Sequence, residues 1–265
     1  MTTTVTILGC GSSGGVPRIG NQWGACDPAN PRNRRRRCSV LVRKTTPSGT
    51  TTVLIDTSPD LREQLLDAGA GEIDGVVFSH PHADHTHGID ELRVVALNMR
   101  RRVEIWADKR TTDALVMRFG YAFATPPGSS YPAILNLNGM EAGKAIVVGG
   151  KGGDVDLLPF QVNHGDIDAL GFRIGTVAYT PDLNGVPDAS RPALQQLSCW
   201  IVDALRRAPH PSHWSLQETL TEIARFRPQR AIITNMHVDL DYETLRRELP
   251  GGTEPAYDGL TVEIP

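Results

Sequence analysis

Apolar residues recur in short runs along the chain, and most runs end at a glycine, a proline or a polar residue. Runs rich in valine and isoleucine with such boundaries are typical of β-strands. The pattern predicts strands in both halves of the chain, at residues 5–8, 39–42, 52–55, 75–78, 103–106, 155–162, 170–174, 177–179, 200–202 and 231–233.

Helices are predicted between these strands, where apolar residues recur at helical spacing. The predicted helices are residues 59–68, 109–119, 215–226 and 242–249. The stretch from 120 to 150 is rich in proline and glycine and is predicted to be loop with short strands. Because strands and helices alternate without an obvious linker, we expect a single α/β domain over residues 1–265.

The composition narrows the class of protein. Of 265 residues, 40% are hydrophobic and 22% are charged, which is typical of a soluble globular domain. The net charge of −3 provides no basic field that would attract nucleic acid. No apolar run is long enough to span a membrane, and the first residues lack the basic and apolar regions of a signal peptide. Four cysteines without a closely spaced pair do not suggest a disulfide framework, so we expect a cytoplasmic protein.

A cluster of metal-binding side chains follows the predicted strand at residues 75–78. The segment is Ser79-His80-Pro81-His82-Ala83-Asp84-His85. Imidazole nitrogens and carboxylate oxygens are the donors that zinc and similar divalent metals prefer. Three further side chains of these types, His164, Asp182 and His237, also follow predicted strands, where the backbone is rigid. The sequence therefore predicts a metal site.

The order of these residues resembles the metallo-β-lactamase fold hydrolases, and the resemblance extends over essentially the whole chain. The nearest similarity is to the phosphodiesterase branch, which includes the phosphoribosyl cyclic phosphate phosphodiesterases of phosphonate catabolism. The supporting motifs are Gly9-x-Gly11-x-x-x-Gly15-Val16-Pro17, Arg37-Cys38-Ser39, Leu54-Ile55-Asp56, His85-x-x-Gly88-Ile89 and Ala256-Tyr257-Asp258-Gly259-Leu260.

This resemblance implies a four-layer αβ/βα sandwich that binds two divalent metal ions, zinc or manganese. It implies His80, His82 and His164 as ligands of the first ion, Asp84, His85 and His237 as ligands of the second, and Asp182 as a bridge. The two ions would hold a bridging hydroxide as the nucleophile, and Asp84 would act catalytically by orienting it. The family often has Thr-His where this chain has Thr234-Asn235. Residues two apart on an extended segment face the same side, so we expect His237 to substitute for the missing ligand.

The same resemblance assigns two roles to His213, which are to contact the substrate phosphate and to protonate the leaving oxygen. A histidine suits both roles because its pKa lies near neutrality. Arg93, just after the histidine segment, is expected to bind a substrate phosphate. The arginine run at residues 34–37 is either a solvated face or a further phosphate contact, and the sequence leaves both open.

The function predicted on this basis is a dinuclear metal-dependent phosphodiesterase acting on a small cyclic phosphate or nucleotide. A thioester or lactone hydrolase of the same fold is the first alternative. A nuclease similar to tRNA 3′-processing enzymes and a non-catalytic metal-binding sensor are the others. We expect a small phosphodiester as the partner, and neither a membrane nor nucleic acid. A homodimer is left open.

Overall fold

Fourteen strands form two mixed sheets in the computed structural model, which describes residues 1–265. The strands are β1 (Thr2–Gly9), β2 (Ser39–Thr46), β3 (Gly49–Ile55), β4 (Gly75–Val77), β5 (Val103–Ala107), β6 (Leu135–Gly139), β7 (Ile146–Val148), β8 (Val155–His164), β9 (Ile167–Ile174), β10 (Val177–Thr180), β11 (Cys199–Asp203), β12 (Arg230–Thr234), β13 (Thr253–Pro255) and β14 (Thr261–Ile264). The helices are α1 (Leu61–Asp67), α2 (Ala83–Thr86), α3 (Leu92–Met99), α4 (Lys109–Phe123), α5 (Leu216–Phe226) and α6 (Tyr242–Glu248).

The two sheets share one design, in which an antiparallel part is joined to a parallel part. The first has the order β14-β1-β2-β3-β4-β5-β6 and is parallel from β3 onward. The second has the order β13-β12-β11-β10-β9-β8-β7 and is parallel from β10 to β13. Parallel strands end at a common edge of their sheet, so the segments that follow β3, β4, β10, β11 and β12 can converge there.

Successive apolar side chains of a strand point to opposite faces of its sheet, and this alternation builds the layers. In β2, Val40 and Val42 are buried between the sheets, whereas Leu41 packs on the opposite face against α1. In β11, Ile201 faces the space between the sheets, and Trp200 packs outward with residues of α5. Helices therefore cover the outer face of each sheet, which confirms the predicted four-layer αβ/βα sandwich.

Several elements differ from the sequence-based expectation. Helix α3 was not predicted, because Val94 and Leu97 are exposed and blur its amphipathic pattern. Strands β13 and β14 have three and four residues, too few to show a period in the sequence. The stretch from 120 to 150 does contain short strands, β6 and β7. None of the helices combines the length and the apolar character needed to cross a membrane.

Candidate metal centre and active site

The histidine segment lies at the edge of the first sheet, directly after the short central strand β4. The strand ends at Val77, and His82 is the residue that precedes the single turn of α2. Asp84 and His85 are adjacent residues of this helical turn, which fixes their backbone. His164 is the last residue of β8, and Asp182 follows β10, so the second sheet supplies the remaining ligand-type side chains.

Four side chains form a first ligand group: His80, His82, His164 and Asp182. Their ligand atoms lie within 4.8 Å of one another. Nδ1 of His82 is 3.1 Å from Nε2 of His80 and 3.2 Å from Nε2 of His164. Oδ2 of Asp182 is 3.7 Å from the His80 nitrogen and 3.6 Å from the His164 nitrogen. This set can hold one tetrahedral divalent ion.

A second group consists of Asp84, His85 and the same Asp182. Nε2 of His85 is 3.2 Å from Oδ1 of Asp182 and 3.5 Å from Oδ2 of Asp84. The two oxygens of Asp182 therefore face different groups, which is the arrangement expected of a carboxylate that bridges two ions.

Each of three ligand imidazoles is held by its other ring nitrogen. Nδ1 of His80 lies 2.9 Å from the Ser79 hydroxyl, and Nδ1 of His164 lies 2.7 Å from the Ser212 carbonyl. Nδ1 of His85 lies 2.8 Å from Oδ2 of Asp56. Such contacts fix the orientation and the tautomer of a metal-binding ring.

Asp56 organises this part of the site although the sequence did not mark it as a site residue. It follows β3 in the left-handed region (φ 63°) and is fully buried. Besides His85, its carboxylate accepts hydrogen bonds from the backbone N–H and the hydroxyl of Ser79, at 2.7 and 2.6 Å. Its signal in the sequence was its position after a strand, within the Leu54-Ile55-Asp56 motif.

The residues fit a divalent metal ion on two observations. Nε2 of His85 is buried and faces the carboxylates of Asp84 and Asp182, which raise the pKa of this ring against the effect of burial, so its surroundings favour a positive charge such as an ion. Burial lowers the pKa of His80, of His82 and of His164, with smaller effects from neighbouring groups. These rings are therefore neutral at neutral pH, which is the form that binds metal.

His213 lies beside the two groups and is paired with Asp203 at the end of β11. Its Nδ1 is 2.7 Å from Oδ2 of Asp203, and its Nε2 is 3.9 Å from Oδ2 of Asp182. Burial opposes the charged ring, but the Asp203 carboxylate outweighs it and raises the pKa of His213 to about 9. The pair therefore favours a proton on the ring, and Nε2 of His213 is directed toward the ligand groups.

The structure does not bring His237 into either ligand group. Asn235 adopts a left-handed conformation (φ 57°), so the segment is not extended and residues two apart do not face the same side. Nε2 of His237 contacts Arg18, and its Nδ1 lies 3.0 Å from Oδ1 of Asp239. The residue beside the second group is Asn235, whose Nδ2 donates to Oδ1 of Asp182 at 3.2 Å.

A polar cavity of about 420 Å³ opens onto the metal centre. Its walls include His213 and two serines, Ser12 and Ser13, of the glycine-rich loop at residues 9–17. Leu205 is its one apolar lining residue. Arg18 lies at this cavity and pairs with no carboxylate. The cavity therefore suits a polar, anionic ligand.

Arg93, which the sequence suggested as a phosphate contact, does not line this cavity. It is near the start of α3, whose buried Leu92 and Val95 face the core and turn Arg93 to another surface. There its guanidinium donates to Asp90 at 3.2 Å, close to Tyr121.

The arginine run at residues 34–37 is largely structural. Arg35 is buried and donates to the Leu240 carbonyl at 2.7 Å. Arg36 pairs with Asp67 at the surface, and Nε of Arg37 lies 2.8 Å from Asp60. The phosphate-binding alternative is therefore unsupported for these three side chains.

Comparison with known proteins places this arrangement in a family. The model of the beta-lactamase superfamily domain matches residues 51–236, which extend from within β3 to the end of β12 and include every side chain of both ligand groups. This protein belongs to the beta-lactamase superfamily. The resemblance to the metallo-β-lactamase fold hydrolases that the sequence indicated is confirmed, and both ligand groups fit the metal-dependent chemistry of this superfamily.

Solved structures and a curated relative are similar to this protein over nearly the whole chain. A crystal structure of a new diphosphatase from the PhnP family is 34% identical, with a TM-score of 0.88 and coverage of 100% of this chain and 98% of that one. Zinc-bound PqqB from Methylobacterium extorquens is 16% identical over 98% of this chain and 100% of that one, with a TM-score of 0.75, and this likeness shows the fold alone. A curated relative named octanoyltransferase, from Porphyromonas gingivalis, is 30% identical over 97% of this chain. The chain spans about half of that relative, 51% of its length.

Within this superfamily member, the structure brings together six of the seven predicted ligands and places His213 beside them. Sequence reasoning missed three residues of the site, namely Asp56, Asp203 and Arg18. Asp203 ends a predicted strand region and Arg18 follows the glycine-rich loop, but neither belongs to a motif of metal-binding residues. Only the folded chain shows which strand ends meet.

Proposed function

We propose that this protein is a phosphodiesterase that cleaves a small phosphodiester, such as a cyclic phosphate or a nucleotide, with two divalent ions, zinc or manganese. The observation that carries the proposal is the Asp203–His213 pair, which directs a protonated Nε2 toward the shared ligand Asp182. A proton donor at this place can protonate a leaving oxygen, and the pair therefore supports a reaction in which a poor leaving group departs there.

The side chains have separable roles in this proposal. Bound divalent ions would lower the pKa of water and balance the charge of the phosphoryl oxygens. Asp203 keeps a proton on Nδ1 of His213, so Nε2 is the atom that donates to the leaving oxygen. Asp84, whose side chain is 18% exposed, is the group placed to accept a hydrogen bond from the attacking water.

The cavity and the relatives support a phosphorylated substrate. Arg18 supplies an unpaired positive charge at the cavity, and a guanidinium binds phosphate oxygens in a bidentate manner. The 34% identical neighbour is a diphosphatase, an enzyme that also breaks bonds between phosphorus and oxygen.

The first test is metal dependence on bis-p-nitrophenyl phosphate. Protein stripped with a chelator is expected to lose turnover and to regain it with zinc or manganese. Full activity after complete removal of metal would refute the proposal.

The role of His213 is tested by comparing two leaving groups. For a 2′,3′-cyclic nucleotide, whose leaving alkoxide needs a proton, His213→Ala should lower kcat by roughly 10² to 10⁴. For bis-p-nitrophenyl phosphate, whose leaving group is stable as an anion, the loss should be much smaller. His87→Ala is the matched control, because His87 is exposed and packs on Phe119 away from the cavity. Equal losses on both substrates would assign His213 to binding alone.

Hydrolysis of an acyl thioester is the second candidate, favoured by the relative named octanoyltransferase. The cavity argues against an octanoyl chain, because Leu205 is the one apolar residue that lines it. An assay of octanoyl-coenzyme A beside the cyclic nucleotide decides between them. A higher kcat/KM for the thioester would reassign the substrate.

A further inference from the structure

The two ligand groups differ in number and in chemical type. The first offers three imidazoles and one carboxylate oxygen, whereas the second offers one imidazole and two carboxylate oxygens. Imidazole nitrogens favour zinc, and carboxylate oxygens also suit manganese and magnesium. The second group is therefore richer in hard oxygen ligands than the first group, and it has one ligand fewer.

Asn235 is the buried polar side chain that lies beside the second group. It is 2% exposed, and its Nδ2 is 3.2 Å from Oδ1 of Asp182, the oxygen that also lies 3.2 Å from Nε2 of His85. An amide N–H is a hydrogen-bond donor and does not bind a cation. The one donor that this side chain can offer to an ion is its neutral carbonyl oxygen, which is a hard ligand.

His237 is held away from this position by contacts at both its backbone and its ring. Its backbone N–H donates to the Leu205 carbonyl at 2.9 Å, and its own carbonyl accepts from the buried Arg35 at 3.4 Å. Its ring contacts Arg18 and Asp239. The missing ligand is therefore not replaced by the nearest histidine in the sequence.

We infer that the two metal sites of this protein are unequal because Asn235, rather than a histidine, stands beside Asp182. The first group binds zinc tightly. The second binds its ion more weakly and discriminates less between zinc and manganese, so manganese occupies it when zinc is limiting. The inference rests on the metal centre of the proposed function, but it concerns occupancy and not turnover.

The experiment measures metal binding by the whole chain after removal of metal by a chelator and dialysis. Zinc affinity is followed by competition with a coloured chelator, and manganese by the electron paramagnetic resonance signal of the free ion. We expect the first zinc to bind at least about tenfold more tightly than the second. With one equivalent of zinc and excess manganese, one ion of each should be bound. Two zinc ions with affinities within about threefold of each other would overturn the inference.

Three variants identify the responsible residue. Asn235→His should raise the second zinc affinity by about tenfold or more, and histidine is tolerated at positive φ. Asn235→Asp, which keeps the size of the side chain and adds an anionic ligand, should also raise it. His85→Ala should abolish the second site while the first keeps its zinc.

His237→Ala separates this inference from the alternative that His237 is the ligand. The second affinity should change less than about twofold in this variant, and a tenfold loss would overturn the inference. Because all readouts are metal content and affinity, a failed phosphodiesterase assay leaves this result intact, and equal metal sites leave the proposed function intact.

Discussion

Arg35 provides the sharpest test of whether the arginine run is structural, through the substitution Arg35→Met. The residue is 2% exposed. Its guanidinium donates to the Leu240 carbonyl at 2.7 Å, to Oδ1 of Asn33 at 3.2 Å and to the His237 carbonyl at 3.4 Å. Methionine keeps the packing of the aliphatic stem but removes these donors and leaves their acceptors buried.

The expected loss of stability follows from these contacts. A hydrogen bond to a charged group contributes about 1.5–3 kcal/mol, and the longest of the three is weak, so the free energy of unfolding should fall by about 3–5 kcal/mol. For a chain of this size, that loss corresponds to a decrease in Tm of roughly 10 °C. Because the contacts anchor the segment that follows β12, the loss should come with weaker retention of metal.

Urea unfolding and a thermal melt measure this effect, with metal content determined on the same samples. Arg36→Met is the matched control, because Arg36 pairs with Asp67 at the surface, where an ion pair contributes at most about 1 kcal/mol. If Arg35→Met were as stable as the control while phosphodiester turnover collapsed, the structural assignment would be refuted and a contact with substrate would be indicated.

Three further perturbations test other parts of the structure. Asp56→Asn removes the charge that holds His85 and should weaken metal binding by roughly 10- to 100-fold in a chelator competition; an unchanged affinity would contradict this. Phe172→Ala opens a cavity between the sheets and should cost about 3–5 kcal/mol in urea unfolding; a loss below about 1 kcal/mol would contradict the core assignment. Burial raises the pKa of Asp258 to about 6, so its stabilising proton is bound fully below about pH 4 and lost as pH rises through 6. The free energy of unfolding of the wild type relative to Asp258→Asn should therefore fall by about 2.4 kcal/mol from pH 4 to pH 7, whereas a difference independent of pH would contradict the shift.

Sequence predictions agree best with the structure where they depend on neighbouring residues alone. The alternating valines predicted the strand β2, and the histidine motif lies directly after β4 as its position in the sequence indicated. The sequence did not reveal helix α3, whose buried face directs Arg93 to a surface outside the cavity at the metal centre. The expectation for His237 assumed an extended backbone, and a single left-handed residue at Asn235 removes that assumption.

In the sequence by itself, local periodicity predicted strands in both halves and residue type predicted the kinds of donor at the metal centre, while the resemblance of its motifs to a known family implied the sandwich and the superfamily. Only the tertiary structure decided which donors face a common point. It joined His85 to Asp56 and His213 to Asp203, placed Asn235 against Asp182, and gave the arginine run its structural contacts. The physical reason is that each of these contacts joins different strands or loops that local sequence patterns do not show to be neighbours, and their directions are fixed by sheet packing and by single backbone angles.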